Sequence, residues 1–442
     1  MNKITVDFKR AIGKMKPMHA VNNGPVHKFA EDQRVSNLQH FIDAGIPYMR
    51  NHDASFCSTY GGEHTVDVHA IFPHFDADPL DPASYDFIMT DEYMRVMELT
   101  GGHCFYRLGS KIEHGIKKYG TLPPKDFHKW AVICEHIIRH YTEGWAEGFH
   151  YDIEYWEIWN EPDLDPDDAT HKRTWGGTRL EFYKFYQITA SHLKSCFPHL
   201  KIGGPALART SNWDWLEGFL ALGAPLDFFS WHVYGATVEK TLERVIKIRK
   251  LLDQYGYNET ESILNEWNYV RSFHGDEWAY SLQMEKELKG AAFIASHMCA
   301  CQNLPLDMLM YYDARPGGMN GMFAPYQNNV CLKGYYPFKM FNELYKLGTS
   351  IETIVQGDNL YSCAAVGKDG SAVMLSYFND EDSSAPKEVT VELKNFKGKT
   401  ATVYILDETH NMEPVWKETY AAQTTILHLN IPNFTTYLLR FE

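Results

Sequence analysis

Residues 153–163 read IEYWEIWNEPD, an apolar run that ends in an Asn-Glu-Pro turn. Runs that do not alternate between polar and apolar residues are typical of parallel strands covered on both faces. Asn160 and Glu161 therefore lie where a strand gives way to a loop. In a barrel of parallel strands, this is the end at which side chains from different strands meet to form a site.

Similar runs recur between residues 15 and 345, with helical stretches between them. The candidate strands are residues 18–21, 46–51, 103–109, 153–160, 201–205, 227–234, 262–267 and 307–313. Apolar spacing marks a helix at 126–141, Thr178 and Glu181 form the capping box of a second, and Gly256 ends a third. Eight such units predict an α/β fold, a (β/α)8 TIM barrel over residues 15–345. A doubly wound sheet is the alternative, but no Gly-rich phosphate loop follows the first strand.

After Leu347 the sequence pattern changes from alternating strands and helices to short β-rich runs. Residues 360–442 hold six short β-rich runs separated by clusters of Asp, Asn, Gly and Ser. This pattern predicts a smaller C-terminal antiparallel β-sandwich over residues 346–442. The N-terminal stretch 1–14, which contains KITVDF, is predicted to add one more strand to that sandwich.

Composition and charge exclude several classes of partner. The formal net charge is −15 and no basic stripe occurs, so nucleic-acid binding is not expected. The sequence lacks the apolar run of a signal peptide and any stretch that could span a membrane, which predicts a cytoplasmic protein without a membrane partner. The eight cysteines, Cys196 and Cys331 among them, are interpreted as buried structural thiols, because they stand among apolar neighbours and no pairs have the usual zinc spacing.

A second glutamate ends the seventh candidate strand, in ILNEW at 263–267. The ordinary interpretation of a lone glutamate at such a position is a loop cap. Two glutamates on well-separated strands of one barrel, however, supply the pair that glycoside hydrolysis needs. One must be protonated to donate to the leaving oxygen, and the other must be ionised to attack the anomeric carbon. The sequence therefore predicts Glu161 and Glu266 as catalytic residues.

Other strand ends supply candidates for substrate binding. Arg50 and His52 close the second strand, and His232 and Tyr234 close the sixth; a side-chain period of two puts each pair on one side. Arg50 could keep the nucleophile ionised and His52 could bond sugar hydroxyls; a barrel-interior ion pair and a satisfied core histidine are the alternatives. The remaining candidates are Asn160, Trp267, Tyr312, Asp313 and Arg315. No metal-ligand motif such as H-E-x-x-H occurs, so neither a metal nor a cofactor is expected.

Several stretches resemble glycoside hydrolase family 39. They are YWEIWNEPD (155–163), KIGGPAL (201–207), LDFFSWHVYG (226–235), ILNEWN (263–268) and the closing helix GYYPFKMFNEL (334–344). The resemblance implies that Glu161 is the general acid/base and Glu266 the nucleophile. It also implies that Asn160 bonds the sugar 2-hydroxyl, that His52 and His232 bind the glycone, and that Tyr234 hydrogen-bonds the nucleophile.

The activity implied by this resemblance is retaining, exo-acting hydrolysis of an oligosaccharide or glycoside, with β-xylosides as the first substrate. Two departures leave the sugar open: Asn265 stands where family members often carry Thr, and MLMYYDARPGG forms the eighth strand end. The alternatives are an α-L-iduronide, an α-L-arabinofuranoside, a β-glucoside or a β-galactoside. A non-catalytic sugar-binding barrel is the alternative from another class. The resemblance is also compatible with a homo-oligomer.

Overall fold

The computed structural model describes residues 2–27, 36–53, 65–325 and 327–442, which form a barrel and a large sheet. Strand β1 (Asn2–Lys14) precedes the barrel. The barrel strands are β2 (Ala20–Asn22), β3 (Tyr48–Arg50), β4 (His103–Leu108), β5 (Tyr155–Ile158), β6 (Lys201–Leu207), β7 (Phe228–Gly235), β8 (Glu261–Tyr269) and β9 (Met308–Tyr311). These eight parallel strands close with β9 beside β2. Each coincides with a predicted run, which confirms the TIM barrel and excludes the doubly wound sheet.

Helices surround the barrel. They are α1 (Leu38–Ala44), α2 (Val68–Ile71), α3 (Ile88–Glu98), α4 (Phe127–Glu143), α5 (Arg179–Cys196), α6 (Trp213–Leu220), α7 (Val238–Gln254), α8 (Gly275–Met284), α9 (Leu288–Gln302) and α10 (Tyr336–Tyr345). A hairpin of β10 (Phe323–Ala324) and β11 (Gln327–Cys331) precedes α10. The predicted capping box opens α5, since Thr178 and Glu181 each accept from the other's backbone N–H.

The α-helices of the described residues are those listed above. None of the helices there is both long enough and apolar enough to cross a bilayer. The cytoplasmic location inferred from the sequence stays a prediction.

The barrel interior has two layers that follow the period of two along each strand. The layer near the strand starts, here called the apolar layer, consists of Ala20, Tyr48, Phe105, Tyr155, Phe228, Ile263, Met308 and Met310. Two residues further along four of these strands lie Asn22, Arg50, Glu157 and Asn265, here called the polar layer. All four polar-layer residues are fully buried. The side chains at the barrel mouth therefore stand on a buried polar layer, which itself rests on an apolar floor.

The second unit is one nine-stranded sheet. Its strands after the barrel are β12 (Thr349–Gln356), β13 (Leu360–Val366), β14 (Ser371–Tyr377), β15 (Lys387–Lys394), β16 (Thr400–Leu406), β17 (Asn411–Thr419), β18 (Thr424–Ile431) and β19 (Thr436–Phe441). The strand order is β17-β16-β19-β14-β13-β12-β1-β15-β18. Buried residues from both halves of the sheet, such as Val391 and Leu439, share one core. The sheet therefore folds over itself as a sandwich.

Two features of this sheet differ from the sequence prediction. Strand β1 pairs antiparallel with β12 but parallel with β15, so the sheet is not purely antiparallel. The six predicted runs also omit β12 and β17. Strand β17 lies at the edge of the sheet, where Pro414 is tolerated. Because most of its residues are exposed, its sequence lacks the alternation of apolar and polar residues that would indicate a strand. The division of the chain at residue 346 stays a prediction.

Helix α9 joins the barrel to the sheet. Its Ser296 hydroxyl lies 3.1 Å from that of Ser376, and Lys289 Nζ lies 2.9 Å from Asp380. Five of the described cysteines are buried, as the sequence interpretation requires. Cys196 and Cys331 are only half-buried, because they lie at the end of α5 and on the β11 hairpin. For these two cysteines the interpretation as buried core thiols is wrong, and Cys57 lies outside the described residues.

Candidate active site

Glu161 and Glu266 meet at the barrel mouth around one histidine. His232 Nδ1 lies 2.8 Å from Glu161 Oε1 and 3.5 Å from Glu266 Oε2. One oxygen of each glutamate and one ring nitrogen of His232 all lie within 4.8 Å of one another. The two carboxylates, which come from strands on different sides of β6 and β7, thus face each other at close range. Carboxyl groups about 5–5.5 Å apart suit an attack by one of them on a bound sugar.

A β-bulge in β8 brings Glu266 into this position. The register between β7 and β8 shifts, so that Trp231 pairs with Leu264 and His232 pairs with Glu266, which leaves Asn265 as an extra residue. In a regular strand, neighbouring side chains point to opposite faces. The bulge lets both Asn265 and Glu266 point into the barrel, where Asn265 Nδ2 donates to Glu157 at 2.6 Å.

Both oxygens of Glu266 accept hydrogen bonds. Arg50 Nη1 donates to Oε1 at 2.7 Å, and the Tyr234 hydroxyl donates to Oε2 at 2.8 Å. His52 Nε2 lies 3.6 Å from Oε1. Burial raises the pKa of Glu266, while His232, Arg50 and the Tyr234 hydroxyl oppose this rise because they favour the carboxylate. The hydrogen bonds therefore orient the Glu266 carboxylate and offset part of the pKa rise, to which the charge of Glu161 also contributes.

Arg50 connects the polar layer to the site. Its Nε donates to Glu157 Oε2 at 2.7 Å, and its Nη2 donates to Asn160 Oδ1 at 2.7 Å. Its Nη1 also donates to Asn22 Oδ1 at 3.1 Å. Because every one of these groups is buried, the guanidinium both compensates two glutamates and fixes the side-chain amide of Asn160. Arg50 was predicted to bind substrate or to keep the nucleophile ionised; its side chain is fully buried and contacts Glu266, which agrees with the second role and not with direct contact to a substrate.

Glu161 is held in an unusual backbone conformation. Its φ is 51° and that of Trp159 is 75°, in the left-handed region that non-glycine residues rarely adopt. The Glu161 N–H donates to the Ala206 carbonyl at 2.9 Å, and the Thr174 hydroxyl donates to the Glu161 carbonyl at 2.6 Å. Burial raises the pKa of Glu161 to about 7 and lowers that of His232 to about 4. A protonated glutamate next to a neutral histidine is therefore accessible near neutral pH.

A second group of side chains, here called the rim cluster, consists of Asp53, Tyr312, Asp313 and Arg315. The Tyr312 hydroxyl donates to Asp53 at 3.1 Å. Arg315 lies between two carboxylates, 3.6 Å from Asp53 and 3.6 Å from Asp313. The His52 and Tyr312 rings are 6.1 Å apart, which links the rim cluster to the surroundings of Glu266.

Trp267 does not belong to the site, although the sequence suggested it for substrate binding. Its indole is buried and stacks on His297 of α9, with ring centroids 4.7 Å apart. The prediction is wrong because the strand is regular again after the bulge, so the residue after Glu266 points outward to the helices.

Sequence reasoning missed three side chains that support the site. Glu157 is a charged residue inside an otherwise apolar strand, and that contrast was a usable signal. Asn22 Nδ2 donates to the Asn265 carbonyl at 2.6 Å, and the Asp53 N–H donates to the side-chain oxygen of Asn23 at 2.7 Å. Asn22 and Asp53 lie at or just after strand ends without a motif to mark them.

The spacing of Glu161, His232 and Glu266 is also short enough for these side chains to hold a metal ion. However, each Glu266 oxygen already accepts a hydrogen bond, from Arg50 and from Tyr234. Burial raises the pKa of Glu161, and Arg50 supplies a positive charge beside Glu266, which is the arrangement of a carboxyl pair with one proton donor and one ionised member.

Such a carboxyl pair at the mouth of a TIM barrel is typical of the class of glycoside hydrolases. The family model "Glycosyl hydrolases family 39" matches residues 2–312, and the chain belongs to this family. The sequence prediction of the family is therefore confirmed.

Individual relatives share parts of this chain. It is 34% identical over 135 residues to a β-xylosidase from Geobacillus stearothermophilus, covering 28% of this chain and 25% of that protein. It is 28% identical over 243 residues to a β-xylosidase from Caldicellulosiruptor saccharolyticus, covering 52% of this chain and 46% of that protein. The matches thus span less than half of these relatives. The crystal structure of a glucosidase from Croceicoccus marinus has a TM-score of 0.81 at 22% identity, covering 100% of this chain and 98% of that one, which shows a shared fold.

Proposed function

We propose that this protein is a retaining, exo-acting glycoside hydrolase whose first substrate is a terminal β-xyloside. The observation that carries the proposal is the approach of Glu161 and Glu266 to within 4.8 Å around His232. An inverting enzyme needs about 6.5–9.5 Å between its carboxyl groups, because a water molecule must fit beside the sugar. The short separation supports direct attack by one glutamate.

The two steps follow from the environments of the two glutamates. In the first, Glu161 gives its proton to the glycosidic oxygen while Glu266 attacks the anomeric carbon, so the aglycone leaves and a glycosyl-enzyme ester forms. In the second, Glu161, now ionised, takes a proton from water as that water attacks the same carbon and releases Glu266. Two inversions at one carbon retain its configuration.

Neighbouring side chains prepare these groups. Arg50 and Tyr234 hold one oxygen of Glu266 each, so the carboxylate does not have to reorient before it attacks. Because Arg50 also holds the side-chain oxygen of Asn160, the Asn160 amide presents Nδ2 as a donor for the sugar 2-hydroxyl. A bond to this hydroxyl that strengthens in the transition state adds to catalysis.

The rim cluster supports an uncharged sugar. Arg315 was the cation considered for a uronate, but Asp53 and Asp313 already lie within 3.6 Å of it. A sugar carboxylate would therefore meet two competing carboxyl groups as well as Glu266. We favour xylose among uncharged sugars because the curated relatives are named β-xylosidase. An α-L-arabinofuranoside, a β-glucoside and a β-galactoside are the alternatives.

The test is a panel of 4-nitrophenyl glycosides with these glycones and an iduronide. We expect the highest kcat/KM on the β-xyloside and no turnover of the iduronide. Proton NMR of the early product should show β-xylose before mutarotation. Release of the α-anomer first would contradict the retaining mechanism, and binding of xylosides without turnover would favour the non-catalytic sugar-binding barrel.

The roles of the two glutamates can be distinguished with a substrate whose leaving group departs without being protonated. On a 2,4-dinitrophenyl glycoside, Glu161→Ala should still form the glycosyl-enzyme, and added azide should restore turnover with a β-glycosyl azide as product. Glu266→Ala should not form the ester. Equal, complete loss of the first step in both variants would contradict this assignment.

A further inference from the structure

A group of metal-ligating side chains lies away from the barrel mouth, between α4 and α5. Glu135 lies on α4, while His192 and Cys196 lie four residues apart on α5 and so share one helix face. One ligand atom from each of the three lies within 4.8 Å of the others. We propose that Glu135, His192 and Cys196 form a zinc-binding site that links α4 to α5.

The distances fit a tetrahedral zinc ion with a small adjustment. Zinc bonds of about 2.0–2.1 Å to nitrogen and about 2.3 Å to sulfur place those two atoms about 3.6 Å apart. His192 Nε2 and Cys196 Sγ are 3.8 Å apart. His192 Nε2 and Glu135 Oε2 are 2.7 Å apart, against about 3.4 Å around zinc, so the Glu135 side chain has to withdraw by about 0.7 Å.

The surroundings orient Glu135 for this role. Arg139 Nε donates to Glu135 Oε1 at 2.8 Å, which leaves Oε2, the oxygen that faces His192, for the ion. A hydrogen bond to the second oxygen of a ligating carboxylate is a common support of metal sites. Arg139 is itself anchored by an ion pair with Glu143 and by the ring of Phe197, 5.1 Å from its guanidinium carbon.

Charge and exposure are also compatible with the ion. A carboxylate and a thiolate neutralise Zn²⁺, and the charge of Arg139 is matched by Glu143. The three ligands are partly exposed, which gives the ion an entry path and leaves a fourth position for water. One sulfur, one nitrogen and one oxygen donor suit zinc, whereas magnesium and calcium prefer oxygen alone.

The cysteine must lose its proton when the ion binds. Zinc binding should therefore release this proton, and the affinity should increase with pH.

The test is titration of the full chain with Zn²⁺, and with Co²⁺ as a spectroscopic probe, in buffer without chelator. We expect the wild-type protein to show a thiolate-to-cobalt charge-transfer band at one equivalent of Co²⁺. Cys196→Ser should abolish the band and weaken Zn²⁺ binding by more than about 100-fold, the upper range for loss of a ligand's hydrogen-bond partner. His192→Gln should give the same result.

Cys331→Ser is the matched control, since Cys331 is the other half-buried cysteine in the described part of the chain. It should keep both the band and the zinc affinity. Mg²⁺ should not compete with Co²⁺. A band that persists in Cys196→Ser, or identical Zn²⁺ titrations of the wild type and both α5 variants, would overturn the site. Turnover of glycosides should be unchanged in Cys196→Ser, which separates this test from the proposed activity.

Discussion

The apolar and polar layers of the barrel belong to the same strands, two residues apart, yet they have opposite requirements. Tyr155 and Ile263 in the apolar layer need only complementary shape, because dispersion and the hydrophobic effect are not directional. Glu157 and Asn265 in the polar layer need partners with correct geometry, because an unpaired buried charge is costly. The apolar layer therefore contributes stability, and the polar layer fixes the direction of Glu266.

The largest effect is expected for Glu266→Gln, which keeps the shape of the site and removes the ionised oxygen. Loss of a nucleophile in a well-organised site costs on the order of 10⁶-fold in kcat. The measurement is steady-state turnover of the best aryl glycoside. The matched control is Glu157→Gln, which removes the other glutamate bound by Arg50. A comparable loss in both variants would mean that Glu266 acts through the polar layer and not as the nucleophile.

The second prediction concerns the apolar layer alone. Phe105→Ala should lower the free energy of unfolding by about 3–5 kcal/mol, because it leaves a cavity in the barrel floor. The pH dependence of kcat should keep its shape. Arg50→Met should also lower the free energy of unfolding by about 3–5 kcal/mol, because two buried glutamates lose their cation. Unlike Phe105→Ala, it should change the pH dependence of kcat. Denaturant unfolding and pH–rate profiles check both. Identical profiles in the two variants would remove the distinction between the layers.

A smaller effect is expected for Tyr234→Phe. The variant loses one hydrogen bond to a charged group, worth about 1.5–3 kcal/mol, so kcat should fall by about 10–150-fold. Because this hydroxyl lowers the pKa of Glu266, its removal should raise that pKa and move the acidic limb of the profile to higher pH. Tyr312→Phe is the control, since its hydroxyl donates to Asp53. An unmoved acidic limb in Tyr234→Phe would show that this bond does not stabilise the carboxylate.

The smallest effect is the pH dependence of the wild-type protein above neutrality. Glu161 donates only in its protonated form, and burial raises its pKa to about 7. We therefore expect kcat/KM to fall by about tenfold per pH unit above that value. On a substrate whose leaving group needs no proton, this alkaline limb should disappear for the first step. A limb that stays at the same pH with both leaving groups would assign it to another residue.

The barrel was predictable because its eight strands are buried on both faces and so appear as apolar runs. Glu161 and Glu266 were predictable because polar residues at the ends of such runs are unusual. The bulge at Asn265 could not be predicted, because it depends on the register of β8 against β7 and leaves no local sequence pattern. Trp267 was misplaced for the same reason, as only the register shows which face follows the bulge.

The rim cluster and the group of Glu135, His192 and Cys196 illustrate contacts that the sequence alone does not reveal. Asp53 and Arg315 are brought together by β3 and β9, and Glu135 and His192 lie 57 positions apart. Spacing rules detect neighbours within one loop or helix, but not contacts made by the closure of a barrel or by the packing of two helices.

The pairing of strand β1 with distant strands affects the order in which the chain folds during synthesis. It is made before any barrel strand, yet its partners are β12 and β15, more than 300 residues later. Until these have left the ribosome, Ile4 and Val6 have no sheet in which to bury their side chains. Strand β1 therefore stays unpaired while the barrel forms, and its apolar side chains stay exposed during that time.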